Sequence, residues 1–169
     1  ALLAGVDAAY GALASDGGPD AADAIMTTDS VPKQVVVEGA GWTIGGMAKG
    51  SGMIHPDMAT MLAYFTTDAH ITPSALQQAL KAAADQSFNC ITVDGDTSTN
   101  DTVLCLANGL AKNRVIAPRS RTSRDFERLL TEAAQTLALL ICRDGEGVTK
   151  VVKVLVEGAK TVATAKRVA

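Results

Sequence analysis

Aromatic residues are scarce. Three Phe, two Tyr and one Trp make up 4% of the 169 residues. So few rings remove most of the stacking platforms on which single-stranded nucleic acid is held. Basic charge is not in excess: 15 Lys and Arg stand against 18 Asp and Glu, a formal net charge of -3, which leaves little to neutralise a phosphate backbone. No apolar run approaches the roughly 18 residues of a membrane-spanning helix, so a soluble protein is expected. No basic segment with an apolar stretch behind it opens the chain, so no secretion signal is expected. Cysteine and histidine are few. Cys90, Cys105 and Cys142 are widely spaced, form no CxxC and lie in apolar stretches, which predicts buried thiols in a reducing compartment. His55 and His70 are not spaced as ligands, so no metal site is expected. His55 stands before Pro56 and His70 in a polar turn, so both read as surface side chains rather than the base of a Ser-His-Asp or Cys-His set. No GxxxxGK[ST] loop exists, and GWTIGG at 41–46 is not GxGxxG, so nucleotide binding has weak support.

What is present describes a folded domain. Hydrophobic residues make up 47% of the chain, too many for disorder at this net charge. The length suits one domain, or at most two small ones. Residues 1–13 carry Leu2, Leu3, Val6 and Tyr10 on one helical face. SDGGPD at 15–20 is a loop, and Asp20 is placed to cap a short helix through Ile25. KQVVVE at 33–38 and residues 42–44 read as two strands of a hairpin. Glycines at 45, 46, 50 and 52 then imply close approaches that a side chain would block. Residues 58–65 are apolar enough for a buried strand or a helix, and their polar and glycine-rich flanks favour the strand. Thr72-Pro73 opens a helix ending near Phe88, with Leu76, Leu80 and Ala83 or Ala84 as its stripe. Strands are expected at 90–93, 102–107 and 148–156. Further helices are expected at 126–142 (Leu129, Leu130, Ala133, Leu137 and Leu140 inward) and from about Thr161, and residues 112–124 read as an exposed loop. This order predicts an α+β fold, a layered α/β sandwich with mixed or antiparallel sheets.

The most unusual stretch is GMAKGSGMIHPDMATMLAYFTTDA at 46–69, in which a lysine sits among glycines and Ala59-Thr60 enters an apolar run. From the residues alone it reads either as a glycine-rich turn leading to a core strand, with Thr60 packed like Val, or as a reactive segment. Its sequence resembles the cleavage-site region of the ornithine acetyltransferase (glutamate N-acetyltransferase) family of arginine biosynthesis. The resemblance rests on Met47-Ala48-Lys49-Gly50, Gly52-Met53, Pro56, Met58-Ala59-Thr60-Met61-Leu62 and Thr66-Thr67-Asp68-Ala69. Further blocks follow in the family's order: AIMTTD at 24–29 with Pro32-Lys33, DTSTNDTV at 96–103 with ANG at 107–109, and RDGEGVTK at 143–150.

The resemblance implies a fold related to that of self-processing acetyltransferases and aminopeptidases. It implies autocatalytic cleavage between Ala59 and Thr60, with residues 1–59 the end of an α chain and 60–169 the start of a β chain. Thr60 is then the catalytic N-terminal threonine nucleophile, and Thr27, Lys49, Thr60 and Glu146 bind substrate. The implied reaction is transfer of acetyl from N-acetylornithine to glutamate, with ornithine released. No cofactor is implied; acetyl-CoA enters as a second donor substrate in bifunctional members. The implied setting is the cytoplasm, as a multifunctional amino-acid-biosynthesis transferase whose αβ dimers pair into a heterotetramer, without nucleic acid or membrane partners. The polar loop from Asp96 to Asp101 is read as structural and is assigned no chemical role.

The family's chain is longer, so the resemblance makes this one an internal section. The family's oxyanion-stabilising Thr-Gly lies upstream of ALLAGV at 1–6, and further substrate contacts lie toward its C-terminus. Each missing oxyanion donor costs roughly 10²–10³-fold in rate, so weak activity is expected of the section in isolation. Part of its apolar surface is expected to pack on the rest of the enzyme. The competing readings are a self-processing aminopeptidase or amidase, which the MTTD and RDGEG blocks argue against, and a non-catalytic fragment that needs partner chains.

Overall fold

The computed structural model describes residues 2–55, 61–96 and 98–168. The bond between Ala59 and Thr60, and with it the expected chain boundary, lies outside the described residues. The elements run α1 (Leu2–Gly11), α2 (Gly18–Ala24), β1 (Lys33–Glu38), β2 (Thr43–Lys49), β3 (Leu62–Thr67), α3 (Pro73–Asp85), a 3₁₀ turn (Phe88–Cys90), β4 (Thr102–Ala107), α4 (Arg121–Arg143) and α5 (Val162–Val168).

The fold is α+β, with one mixed sheet in the order β1-β2-β3-β4. β1–β2 and β2–β3 are antiparallel, whereas β4 runs parallel to β3, reached by the crossover through α3. Strand alternation sends Ile44, Ala48, Ala63 and Phe65 to one face, where α3 and α4 cover them. The helices contribute Ala79 and Ala83 from α3, and Phe126, Leu130, Ala133, Leu137, Ala138 and Ile141 from α4. Each fully buried large side chain contributes about 1.5–3 kcal/mol of hydrophobic stabilisation. Trp42 stacks against Phe126 with ring centroids 5.0 Å apart, which pins the start of the hairpin's second strand to α4. On the opposite face, one cross-strand row exposes Val36 and Leu106 at its ends.

Caps follow the sequence. Thr72 Oγ1 accepts from the Ala75 amide at 3.3 Å at the start of α3, and Ser120 Oγ accepts from the Ser123 amide at 3.0 Å at the start of α4. The structure corrects several expectations. The second strand, expected at 42–44, runs on through Gly45 and Gly46 to Lys49. A Cβ on Gly46 would lie 2.7 Å from two ring carbons of Phe65, so glycine is what lets that ring cross the strand. Helix α2 starts at Gly18 with Gly17 as its cap, and Asp20 lies in the first turn, where its charge faces the positive end of the helix. Residues 121–124 are the first turn of α4, not loop. Residues 90–93 form no strand: the chain turns through the 3₁₀ segment, and Val93 donates a single amide bond to the Ile54 carbonyl at 2.9 Å. Residues 148–156 form no strand either; Val148, Val151, Val152 and Val154 are exposed and no β partner lies beside them among the described residues. α1 is a helix as expected, yet none of its residues is buried. Cys105 and Cys142 are half-buried, whereas Cys90 is exposed, contrary to expectation, because the 3₁₀ turn points it outward. His55 and His70 are exposed, as expected. Among the described residues no helix is long and apolar enough to cross a membrane.

Candidate functional site

Three of the residues singled out by sequence line one cleft of about 350 Å³. Thr27 comes from the loop after α2, Lys49 from the last position of β2 and Glu146 from the turn after α4. Lys49 is 6% exposed, so it is not the solvated surface lysine that its charge alone suggests. Its Nζ reaches Thr27 Oγ1 at 3.4 Å, the long end of a hydrogen bond. Thr28 Oγ1 and Ser51 Oγ are 2.7 Å apart on the same wall. Glu146 is held by its backbone, whose amide donates to the Ser51 carbonyl at 2.6 Å. Its carboxylate lies over Gly52: a Cβ there would be 2.9 Å from Glu146 Cδ. The cleft therefore sets a buried cation against exposed carboxylates, Asp94, Asp96 and Glu146.

The segment leading toward residue 56 and the one leaving residue 60 are both anchored by carboxylates of the polar 94–101 loop. Asp94 accepts from the backbone amides of Met53, at 2.5 Å, and Ile54, at 3.1 Å. Thr92 Oγ1 donates to the Ile54 carbonyl at 2.9 Å. Burial raises the Asp94 pKa, but the Met53, Asp96 and Ile54 amides outweigh it and hold the carboxyl below its ordinary value. On the far side, Asp101 Oδ1 accepts from the Met61 amide at 2.7 Å and the Thr102 amide donates to the Met61 carbonyl at 3.1 Å, where β3 and β4 begin side by side. A second cavity of about 190 Å³, bordered by Ile54, His55, Met61 and Asp101, shares no residue with the cleft.

The expected nucleophile and cleavage residues, Thr60 and Ala59, lie outside the described residues. The sequence reading missed the anchoring of Asp94 and Asp101, and it missed Lys33. The alternation of β1 carried a signal for Lys33, because that lysine stands in phase with the inward Val35 and Val37. Its ammonium bonds Asp29 Oδ1 and Asp144 Oδ2, each at 2.6 Å. Burial pushes both carboxyls up, but the Lys33 hydrogen bond and backbone amides (Gly50 and Thr27 at Asp29, Ser30 at Asp144) leave both below their ordinary value.

Comparison with known proteins gives a consistent pattern. A family described as the ArgJ family matches residues 1–169. The arginine biosynthesis bifunctional protein ArgJ of Symbiobacterium thermophilum is 56% identical over 172 residues, covering 99% of this chain and 43% of that protein. The protein of the same name from Synechococcus sp. is 49% identical, covering 100% of this chain and 42% of its own length. The crystal structure of the ArgJ protein from Bacillus halodurans superposes with a TM-score of 0.47 at 49% identity, over 50% of this chain and 39% of that one. The chain thus spans about two fifths of the length of the curated relatives it matches.

Proposed function

Since the chain belongs to the ArgJ family, we propose that it is the internal section of a self-processing acetyltransferase of arginine biosynthesis, holding the bond that is cut and part of the substrate cleft. The observation that carries the reading is the meeting of Thr27, Lys49 and Glu146 in one cleft from three separate segments. A buried ammonium opposite exposed carboxylates suits a ligand that carries both charges. An amino acid can set its carboxylate against Lys49 and its ammonium against Glu146. N-acetylornithine and glutamate both have a carboxylate for Lys49, and the free amine of N-acetylornithine suits Glu146.

In the processing step, the Thr60 hydroxyl adds to the Ala59 carbonyl. The Ala59–Thr60 amide bond breaks, and the acyl group moves from nitrogen to oxygen. Water hydrolyses the resulting ester, leaving a carboxylate on Ala59 and a free α-amine on Thr60. Asp94 and Asp101 support this reading by fixing the backbone on both approaches to the segment. The new α-amine has a pKa near 7.7–8.0, so much of it is a free base near neutral pH and can take the proton of its own hydroxyl. Thr60 then accepts acetyl from N-acetylornithine as an ester and ornithine leaves. The glutamate amine attacks that ester, N-acetylglutamate departs, and the hydroxyl is regenerated. The word bifunctional in the relatives' names fits a second activity, for which the reading takes acetyl-CoA as a second donor substrate. No cofactor is required. The reading places the enzyme in the cytoplasm, with the α and β chains held together after cleavage and pairing to a heterotetramer.

The test is an exchange assay on the full-length enzyme that contains this section. N-acetylornithine with glutamate, acetyl-CoA with glutamate, and peptide amides are offered in parallel. Acetyl transfer with the first pair supports the reading. Hydrolysis of amides without acetyl exchange refutes it in favour of an amidase.

A further inference from the structure

Lys33 opens β1 with no accessible surface. A lysine ammonium has three donors, and all are used here: Asp29 Oδ1 and Asp144 Oδ2 at 2.6 Å, and the Val31 carbonyl at 3.3 Å. The two carboxylate side chains are 0% and 9% exposed. Stability is a weak reason for such a cluster. Taking charges out of water is costly, and apolar replacements of similar volume often leave a protein as stable or more so.

The connections of the cluster supply a better reason. Asp29 accepts from the Gly50 amide at 2.7 Å through Oδ1 and from the Thr27 amide at 3.3 Å through Oδ2. Asp144 accepts from the Ser30 amide at 2.9 Å. Asp144 also opens the turn that carries Glu146, whose amide returns to Ser51 at 2.6 Å. One buried ammonium therefore ties together the backbone at Thr27, the backbone beside Lys49 and the turn of Glu146. Asp29 and Asp144 are far apart in sequence, with β1 to β4, α3 and α4 between them, and Lys33 is the side chain that joins them.

We propose that Lys33, with Asp29 and Asp144, sets the relative positions of Thr27, Lys49 and Glu146, and so acts as the positioning group of the substrate cleft. The ligand's identity rests on the acetyltransferase reading above, whereas the geometry does not. The pairing of opposite charges fixes one register between three segments, which an apolar contact would leave free to slide.

The test compares, in the full-length enzyme, Lys33→Met with a neutral triple variant, Asp29→Asn with Lys33→Met and Asp144→Asn. Lys33→Met strands two buried carboxylates, and its loss of folding is uninformative by itself, so the triple variant decides. Asn keeps an acceptor oxygen for the Gly50 and Ser30 amides, gives up the longer bond from the Thr27 amide to the second Asp29 oxygen, and loses the ammonium that joins the two side chains. The triple variant is expected to melt close to the parent. Its Ser30 and Gly50 amides are expected to exchange with deuterium about tenfold faster or more, while amides of α4 stay protected. KM for N-acetylornithine is expected to rise about tenfold or more, with a smaller change in kcat. Parent-like exchange at Ser30 and Gly50 overturns the proposal. So does a triple variant that cannot fold, because the cluster is then a structural necessity only. A parent without acetyl exchange defeats the functional reading instead, and amide exchange alone then decides the positioning role.

Discussion

Replacing Gly52 by alanine separates a functional close approach from a structural one. A Cβ built on Gly52 would lie 2.9 Å from Glu146 Cδ, 3.0 Å from Oε2 and 3.1 Å from Oε1. Ordinary carbon contacts begin near 3.5 Å, so the carboxylate must retreat by roughly half an ångström or more. Its backbone cannot follow, because the Glu146 amide is fixed to the Ser51 carbonyl at 2.6 Å and the Val148 amide closes the turn on the Gly145 carbonyl at 2.9 Å. The side chain must therefore swing. The carboxylate is the far end of a flexible, exposed side chain, so the change is nearly free in stability, below about 0.5 kcal/mol. Misplacement of a substrate-holding group by up to 1 Å costs as much as about 10²-fold, so kcat/KM for N-acetylornithine should fall about 10- to 100-fold. Gly46→Ala is the control. There the added carbon would meet the Phe65 ring at 2.7 Å and Val35 Cγ1 at 3.2 Å, inside the core. Overpacking of that kind costs about 1–3 kcal/mol and should lower Tm by several degrees. Thermal melts and steady-state kinetics on the full-length enzyme read both effects. A folded Gly52→Ala enzyme with kcat/KM within about twofold of the parent would refute the placement of Glu146 against substrate.

Other outcomes follow from the same geometry. Asp29 and Asp144 titrate lower in the folded chain than the ordinary 3.8, so their stabilising contribution is present above that pH and is lost as pH falls through the folded values. Melts between neutral pH and about pH 2 should show this loss, and the neutral triple variant should show a shallower one; equal slopes contradict the assignment. Asp101→Ala removes a charge-assisted bond to the Met61 amide, worth about 1.5–3 kcal/mol, and should slow self-cleavage by about one to two orders of magnitude, followed by chain-resolving electrophoresis over time. Asp101→Asn keeps the acceptor and should recover part of that rate; equal, undiminished rates in both variants contradict the anchoring role. Burial pushes the Cys105 thiol up to about 11, so a thiol reagent near pH 8 should label exposed Cys90 first, as peptide mass mapping would show.

Several local signals read from the sequence survived where neighbours in the chain decide the structure, though the Asp20 cap did not. β1 matches its alternating pattern, and α3 begins at its Thr-Pro cap. They misled where a distant partner decides. The second strand of the hairpin was read only to Ile44 because the need for glycine at position 46 comes from Phe65, on the neighbouring strand. The valines of 148–156 alternate like a strand, but alternation makes a strand only when another edge pairs with it. The candidate site was legible in part. Thr27, Lys49 and Glu146 came from motif resemblance, and the fold brings them to one cleft. Lys33 was legible as a charge in phase with Val35 and Val37 and as part of a matching block, but without a role. Its partner Asp144 lies 111 residues away, a pairing no local pattern announces. Asp94 and Asp101 supply the backbone anchors on both sides of 56–60, although the sequence assigned the 96–101 loop no chemical role.

The central claim is that this section contains a bond its own threonine cuts. Intact-mass spectrometry of the purified full-length enzyme beside its Thr60→Ala variant tests it most directly. The account predicts two chains for the parent, with masses that place the junction between Ala59 and Thr60, and one uncut chain for Thr60→Ala. A folded parent that stays in one piece, or a Thr60→Ala variant cut at the same bond, would contradict it.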